Sequence, residues 1–251
     1  MTEALIFGVL GSSALVFGGA LGAYWRPPTQ ITGVMLAFAS GTLIAALCFE
    51  LFPEAVHLGG LTVSGAGLVL GGLTFVIVNT WLDAHVAAGA GGDDLAGAEA
   101  EQREKVKEAS RGIGFALLAA VTLDGVPENL ALGVSLVSGG GLTLLVAIFA
   151  SNFPEALVGA VAMRDEGRSA RFAIGIWALT ALLLTAAVVL GRGAMLGVDD
   201  RVLSFALAYA GGAVLSSVAD TLMPEAFEKG RPFNSFATAA GFFVSFVLAN
   251  L

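Results

Sequence analysis

Positive charge is what the long apolar runs of this chain lack. Twelve lysines and arginines stand against twenty acidic residues, and none of the twelve lies deeper in an apolar run than its first two residues. A carboxylate buried there without a basic partner must be protonated, hydrated or bound to a cation. Charge of either sign is scarce: 13% of the 251 residues are charged and 57% are hydrophobic, whereas soluble domains hold about 25% charged residues. With a mean hydropathy of +0.86, the composition excludes an ordinary soluble domain and implies an integral membrane protein. The single cysteine, Cys48, sits in an apolar run, so no intrachain disulfide forms and the redox compartment is not readable. No Gly-x-x-x-x-Gly-Lys-Ser/Thr loop is present to hold ATP. A His-Glu-x-x-His pair and any Ser-His arrangement within the spans are also missing, so the chain does not read as an enzyme. Much of the net charge of −8 comes from one polar loop and from acids within the spans, and nucleic-acid binding is not expected.

What is present is eight apolar spans, at about 4–24, 30–56, 60–83, 112–137, 142–163, 170–190, 201–227 and 233–251. The first ends on Tyr24-Trp25-Arg26-Pro27-Pro28, an interfacial aromatic pair followed by a helix stop. Glu3 and the length of the run argue against a cleaved signal peptide. Gly18 with Gly22, and Gly67 with Gly71, have the spacing that lets helices approach closely. Residues 84–111 form the one substantial extramembrane segment, whose second half could be an exposed helix with a Glu101–Lys105 pair. With both termini outside the cytoplasm, ten of the twelve basic residues fall on inner connections and only Arg192 and Arg201 outside, as the positive-inside rule expects. The expectation is one all-α transmembrane domain over 1–251, multi-pass, with about 84–111 as a cytoplasmic loop.

The fourth and fifth spans carry the chemistry. Pro127 and Pro154 cannot donate a backbone hydrogen bond, so in helices the carbonyls of Leu123 and Ala150 lose their usual partners. Glu128 and Glu155 follow these prolines, each four residues after a polar group, which puts Asp124 with Glu128 and Ser151 with Glu155 on shared helix faces. Asn129 and Asn152 add amide oxygens nearby. Facing one another, the two helices would form a cluster of oxygen donors in an apolar surround, suited to a divalent cation. Glu50, three residues before Pro53, reads equally as a further ligand or approach-path carboxylate and as a protonated packing residue. Glu54 and Glu225 read as solvated residues near span ends, Asp220 as a group that could feed the cation pathway, and His57 as an amphipathic anchor. Residues 39–55 also resemble residues 210–226 at a constant offset of 171, and pairing across an odd number of crossings implies the inverted-repeat plan of secondary transporters.

With these motifs the sequence resembles the Zrt/Irt-like (ZIP) family of divalent metal transporters. The carriers are Asp124-Gly125-Val126-Pro127-Glu128-Asn129, set against the family's His-Asn-x-Pro-Glu-Gly, and Ser151-Asn152-Phe153-Pro154-Glu155-Ala156, set against His-(Asn/Glu/Asp)-x-Pro-(Glu/Gln)-x. Eight helices, external termini and an internal loop after the third also match. The resemblance implies a secondary transporter moving a divalent metal cation towards the cytoplasm across the cell (inner) membrane, with no resident cofactor. It implies a divergent member, because family histidines are replaced by Asp124 and Ser151 and the sixth span offers no carboxylate for a second metal. The internal loop has only His85, so metal capture there would fall to acids such as Asp93 and Asp94. Zinc is the family default, while an all-oxygen set moves preference towards manganese or iron(II). A proton-coupled carrier of another substrate, and a non-transporting degenerate homologue, remain alternatives on the same scaffold. The expected partners are the metal substrate and membrane lipid, and a homodimer is compatible with the sequence.

Overall fold

The computed structural model describes the backbone of residues 1–90 and 125–250, and side chains within 1–81 and 125–250. Nine helices are found among the described residues, and no strand. They are α1 (Thr2–Tyr24), α2 (Thr29–Ala46), α3 (Phe52–Ala90), α4 (described from 125 to 135), α5 (Leu142–Asp165), α6 (Ala170–Met195), α7 (Asp200–Ser217), α8 (Met223–Gly230) and α9 (Asn234–Leu248). Five helical stretches are long and apolar enough to cross a membrane: Thr2–Tyr24, Thr29–Trp81, Leu142–Asp165, Ala170–Met195 and Asp200–Gly230. The protein is therefore an all-helical, multi-pass membrane protein. Eight spans were expected, and the difference has identifiable sources. Thr29–Trp81 contains both the second and third expected spans, divided at Gly60, whose φ of 74° is open to a residue without a Cβ. The last expected span is an apolar helix of only 15 residues, and most of the fourth lies outside the described residues. Helix α3 continues to Ala90, past the expected end near 83. The Glu101–Lys105 pair and the acids Asp93 and Asp94 also lie outside the described residues.

Two widened, π-helical turns join α2 to α3 and α7 to α8, at Leu47–Leu51 and Val218–Leu222. In each, the following N–H reaches back five residues, Phe52 to the Leu47 carbonyl and Met223 to the Val218 carbonyl. Pro53 and Pro224 stand just beyond, where a ring would crowd the carbonyl four residues back in a tighter helix. The offset of 171 seen in sequence is thus reproduced in backbone geometry: 47–51 maps onto 218–222, and α2 (29–46) onto α7 (200–217).

The packing repeats too. A Cβ on Gly212 would overlap the Leu68 carbonyl of α3, and one on Gly41 would overlap the Thr238 carbonyl of α9. Gly71 meets the Tyr209 carbonyl, and Gly241 meets that of Phe38. Contacts of α2 with α9 therefore mirror those of α7 with α3. A second set relates α1 to α6 and α4 to α5: Gly22 lies against the Leu157 carbonyl, and Gly191 against that of Leu130. Related helices run antiparallel. In α2 and α7, Gly33 lies by Gly230 while Ser204 Oγ donates to the Ala55 carbonyl at 2.6 Å. In α1 and α6, Glu3 pairs with Arg192 and Gly19 packs on Trp177.

These contacts sort the helices into two bundles, α1–α4–α5–α6 and α2–α3–α7–α8–α9, which meet mainly where α2 packs on α5. Leu43, Leu47 and Leu51 from the second bundle share one buried cluster with Leu132, Leu144 and Ile148 from the first. Within each bundle, association rests on backbone approach at glycine rather than on burial from water, since lipid is as apolar as the side chains. Gly71→Ala is therefore expected to destabilise the purified protein by about 1–3 kcal/mol through overpacking. Gly65→Ala, with open space around it, should be neutral; thermal unfolding of both in detergent is the measurement.

Candidate metal-binding site

Helices α4 and α5 form a hairpin closed by the turn around Ser138–Gly141, where Gly139 and Gly141 have φ of 87° and 112°. A shift of 27 residues carries Pro127-Glu128 onto Pro154-Glu155. The same shift carries Leu130, held against Gly191 of α6, onto Leu157, held against Gly22 of α1. Gly18 of α1 adds a contact at the Phe153 carbonyl, immediately before Pro154. Each Pro-Glu segment is thus fixed by a glycine-faced neighbour within the same bundle. Gly18 and Gly22, expected only as close-packing positions, hold the segment that carries Glu155.

Of the expected site residues, Glu128 is 2% exposed, Asn129 0%, Ser151 0% and Asn152 1%, and Glu155 is half-buried. Asp124 lies outside the described residues. The Asn129 amide donates to the Gly125 carbonyl at 2.8 Å, one turn back, which leaves its Oδ1 buried without a hydrogen bond. Both polar atoms of the Asn152 amide are buried without one. Ser151 Oγ donates to the Ile148 carbonyl at 3.1 Å, so its lone pairs stay open to an acceptor-seeking ligand. An orphaned buried amide costs about 1–3 kcal/mol, and two on equivalent helices call for a reason. Among the described residues no three His, Cys, Asp or Glu side chains lie together as a metal-holding group. A cation here would need neutral oxygens beside its carboxylates, and Asn129, Ser151 and Asn152 can supply them.

Glu50 is placed elsewhere. Its carboxylate accepts from Ser135 Oγ at 2.9 Å and from the backbone N–H groups of Thr143 at 3.1 Å and Leu144 at 3.4 Å, at the turn end of the hairpin. Asp220, in the other widened turn, accepts from Asn79 Nδ2 at 2.8 Å. Neither partner, Ser135 nor Asn79, was anticipated, because sequence separations of 85 and 141 leave no local signal. Glu225, expected as a solvated end residue, forms an i,i+4 ion pair with Lys229 and is partly buried. Arg26 with Asp165 and Arg192 with Glu3 likewise pair at helix ends. His57 is exposed, and Trp177 is fully buried against Gly19 and Gly159. Two cavities of about 510 and 460 Å³ flank α9. Neither is lined by Glu128, Asn129, Ser151, Asn152 or Glu155.

No family model matches the chain. A protein of Myxococcus xanthus named zinc transporter GufA is 34% identical over 133 residues, 52% of this chain and 51% of that protein. The chain spans about half the length of the curated relative it matches.

Replacing Asn152 by leucine, which has the same number and branching of side-chain heavy atoms and no polar ones, tests whether the orphaned amide is retained for a ligand. The variant is expected to be as stable as wild type or about 1–3 kcal/mol more so. It should also lose most of any upward thermal shift that zinc produces in wild type. Thermal unfolding with and without zinc reads both effects.

Proposed function

We propose that this protein is a ZIP-like secondary transporter that moves a divalent metal cation across a membrane, with zinc as the first candidate substrate and manganese or iron(II) next. The observation that carries the reading is the duplicated Pro-Glu pair, Glu128 and Glu155, each within three residues of a buried asparagine whose amide oxygen has no hydrogen-bond partner. Similarity to a protein named as a zinc transporter supports the same class of cargo.

On this reading Glu128 and Glu155 neutralise the ion, Asn129, Ser151 and Asn152 complete its oxygen shell, and Asp124 contributes from the preceding turn. Carboxylates alone would hold a doubly charged ion too firmly for release on either side. Neutral amide and hydroxyl oxygens replace hydration water without adding charge, which keeps the complex near electroneutrality and the ion exchangeable. The eight-helix, inverted-repeat ZIP-like architecture, with both termini outside and the cell membrane as its location, belongs to this proposal. The antiparallel pairing of α2 with α7 and of α1 with α6 supports it. In such a plan the bundle that holds the site moves against the other, so that one set of ligands faces each side in turn. Transport towards the cytoplasm follows from the family resemblance.

The test is uptake of radioactive zinc and manganese into proteoliposomes by wild type, Glu128→Ala and Glu155→Ala, each checked for correct folding. Both variants should lose at least about tenfold of the metal-dependent rate, and flux should not follow an imposed pH gradient in the absence of metal. Equal uptake by all three would remove the site from the mechanism.

A further inference from the structure

Helix α5 begins without a cap of its own. Its N-cap is Gly141, at φ 112°, which has no side chain to accept from the first-turn N–H groups. Those groups have no partner within the helix, and the helix dipole makes the position favourable for a negative charge. The charge comes from Glu50, in the widened turn after α2, whose Oε2 accepts from Thr143 and Leu144 while Oε1 accepts from Ser135 at the end of α4. Since α2 belongs to one bundle and α4 and α5 to the other, this carboxylate spans the seam between them. Three of its roughly four acceptor positions are already used. The acid of the other widened turn behaves differently: Asp220 accepts from Asn79 of α3, within its own bundle.

We infer that Glu50 is a positioning residue, an interbundle latch that holds the N-terminus of α5 against the widened turn of α2 and keeps the seam shut at the end marked by the 138–141 turn. The inference rests on the transport reading, in which the bundles move relative to each other, and it assigns Glu50 to gating rather than to the ion's coordination shell. The asymmetry between Glu50 and Asp220 gives the two ends of the duplicated fold different closures. Opening at the Glu50 end must break charge-assisted hydrogen bonds, whereas the Asp220 contact can persist through a bundle motion.

The experiment uses the full chain in detergent or proteoliposomes, in a Cys48→Ser background carrying Ala147→Cys as a thiol reporter. Ala147 is fully buried in the cluster shared by α2 and α5. Glu50→Gln keeps the shape but removes the charge and one acceptor oxygen. It should raise both amide exchange at Thr143 and Leu144 and the rate at which a water-soluble reagent modifies the reporter thiol, each by about tenfold. Ser135→Ala, a milder change, should shift both in the same direction and keeps the test open if the glutamine variant misfolds. The zinc-induced thermal shift should persist in both variants. Faster amide exchange with unchanged thiol reactivity would reduce Glu50 to a local cap and overturn the latch. Loss of the zinc shift with unchanged reactivity would make Glu50 a ligand and overturn it equally. If zinc does not stabilise even the wild type, the transport reading suffers, while the thiol reactivity still reports on the latch.

Discussion

The described helices are arranged around acids kept inside an apolar interior, with the ion-paired lysine and arginine residues held to the helix ends. A carboxylate there is costly to keep, and the surrounding structure limits what can satisfy it. The ion pairs described, Arg26–Asp165, Arg192–Glu3 and Lys229–Glu225, all sit at helix ends. Deeper in, the chain offers oxygens: Asn129 and Asn152 with orphaned amide atoms, and Ser151 with open lone pairs. These orphaned atoms lie on the helices that carry the two Pro-Glu pairs, and they are what the proposed cation would draw on.

Glycine is the second organising element, and it serves the first. In lipid there is no hydrophobic gain from bringing helices together, so they associate where backbones can touch. Gly18 and Gly22 press α1 onto the carbonyls that flank Pro154-Glu155, and Gly191 presses α6 onto Leu130 beside Pro127-Glu128. The same residues that bind the bundle hold the two acids in equivalent registers. Across the seam the contacts are of another kind, interdigitated leucines and one spanning carboxylate, Glu50. Tight backbone contact within bundles and side-chain contact between them is a division that permits one bundle to move as a unit.

Much of this was legible in the sequence for a simple reason: composition, hydropathy and proline position act locally. The apolar runs, the turn around Ser138–Gly141, the paired Pro-Glu motifs and the 171-residue offset all read directly from the order of residues. The offset then reappeared in the widened turns at Leu47–Leu51 and Val218–Leu222. The expected break between the second and third spans, at about 56–60, falls on the non-helical Gly60, whereas the end of the third was less legible, since α3 continues to Ala90. Asp124, one of the proposed ligands, lies outside the described residues.

The roles of the remaining acids were decided only by the fold. Glu50, Asp220 and Glu225 look alike in sequence, each an acid next to a proline or a few residues before one, near the end of an apolar run. Their partners come from 85 residues away, from 141 residues away and from the next helical turn, respectively. A carboxylate's function is set by the donors that reach it, and long-range donors are brought by helix packing that no local pattern encodes. The sequence determined that this is a membrane protein with acids in its interior. The tertiary structure decided which donors reach which acid: Ser135, Thr143 and Leu144 at Glu50, Asn79 at Asp220 and Lys229 at Glu225.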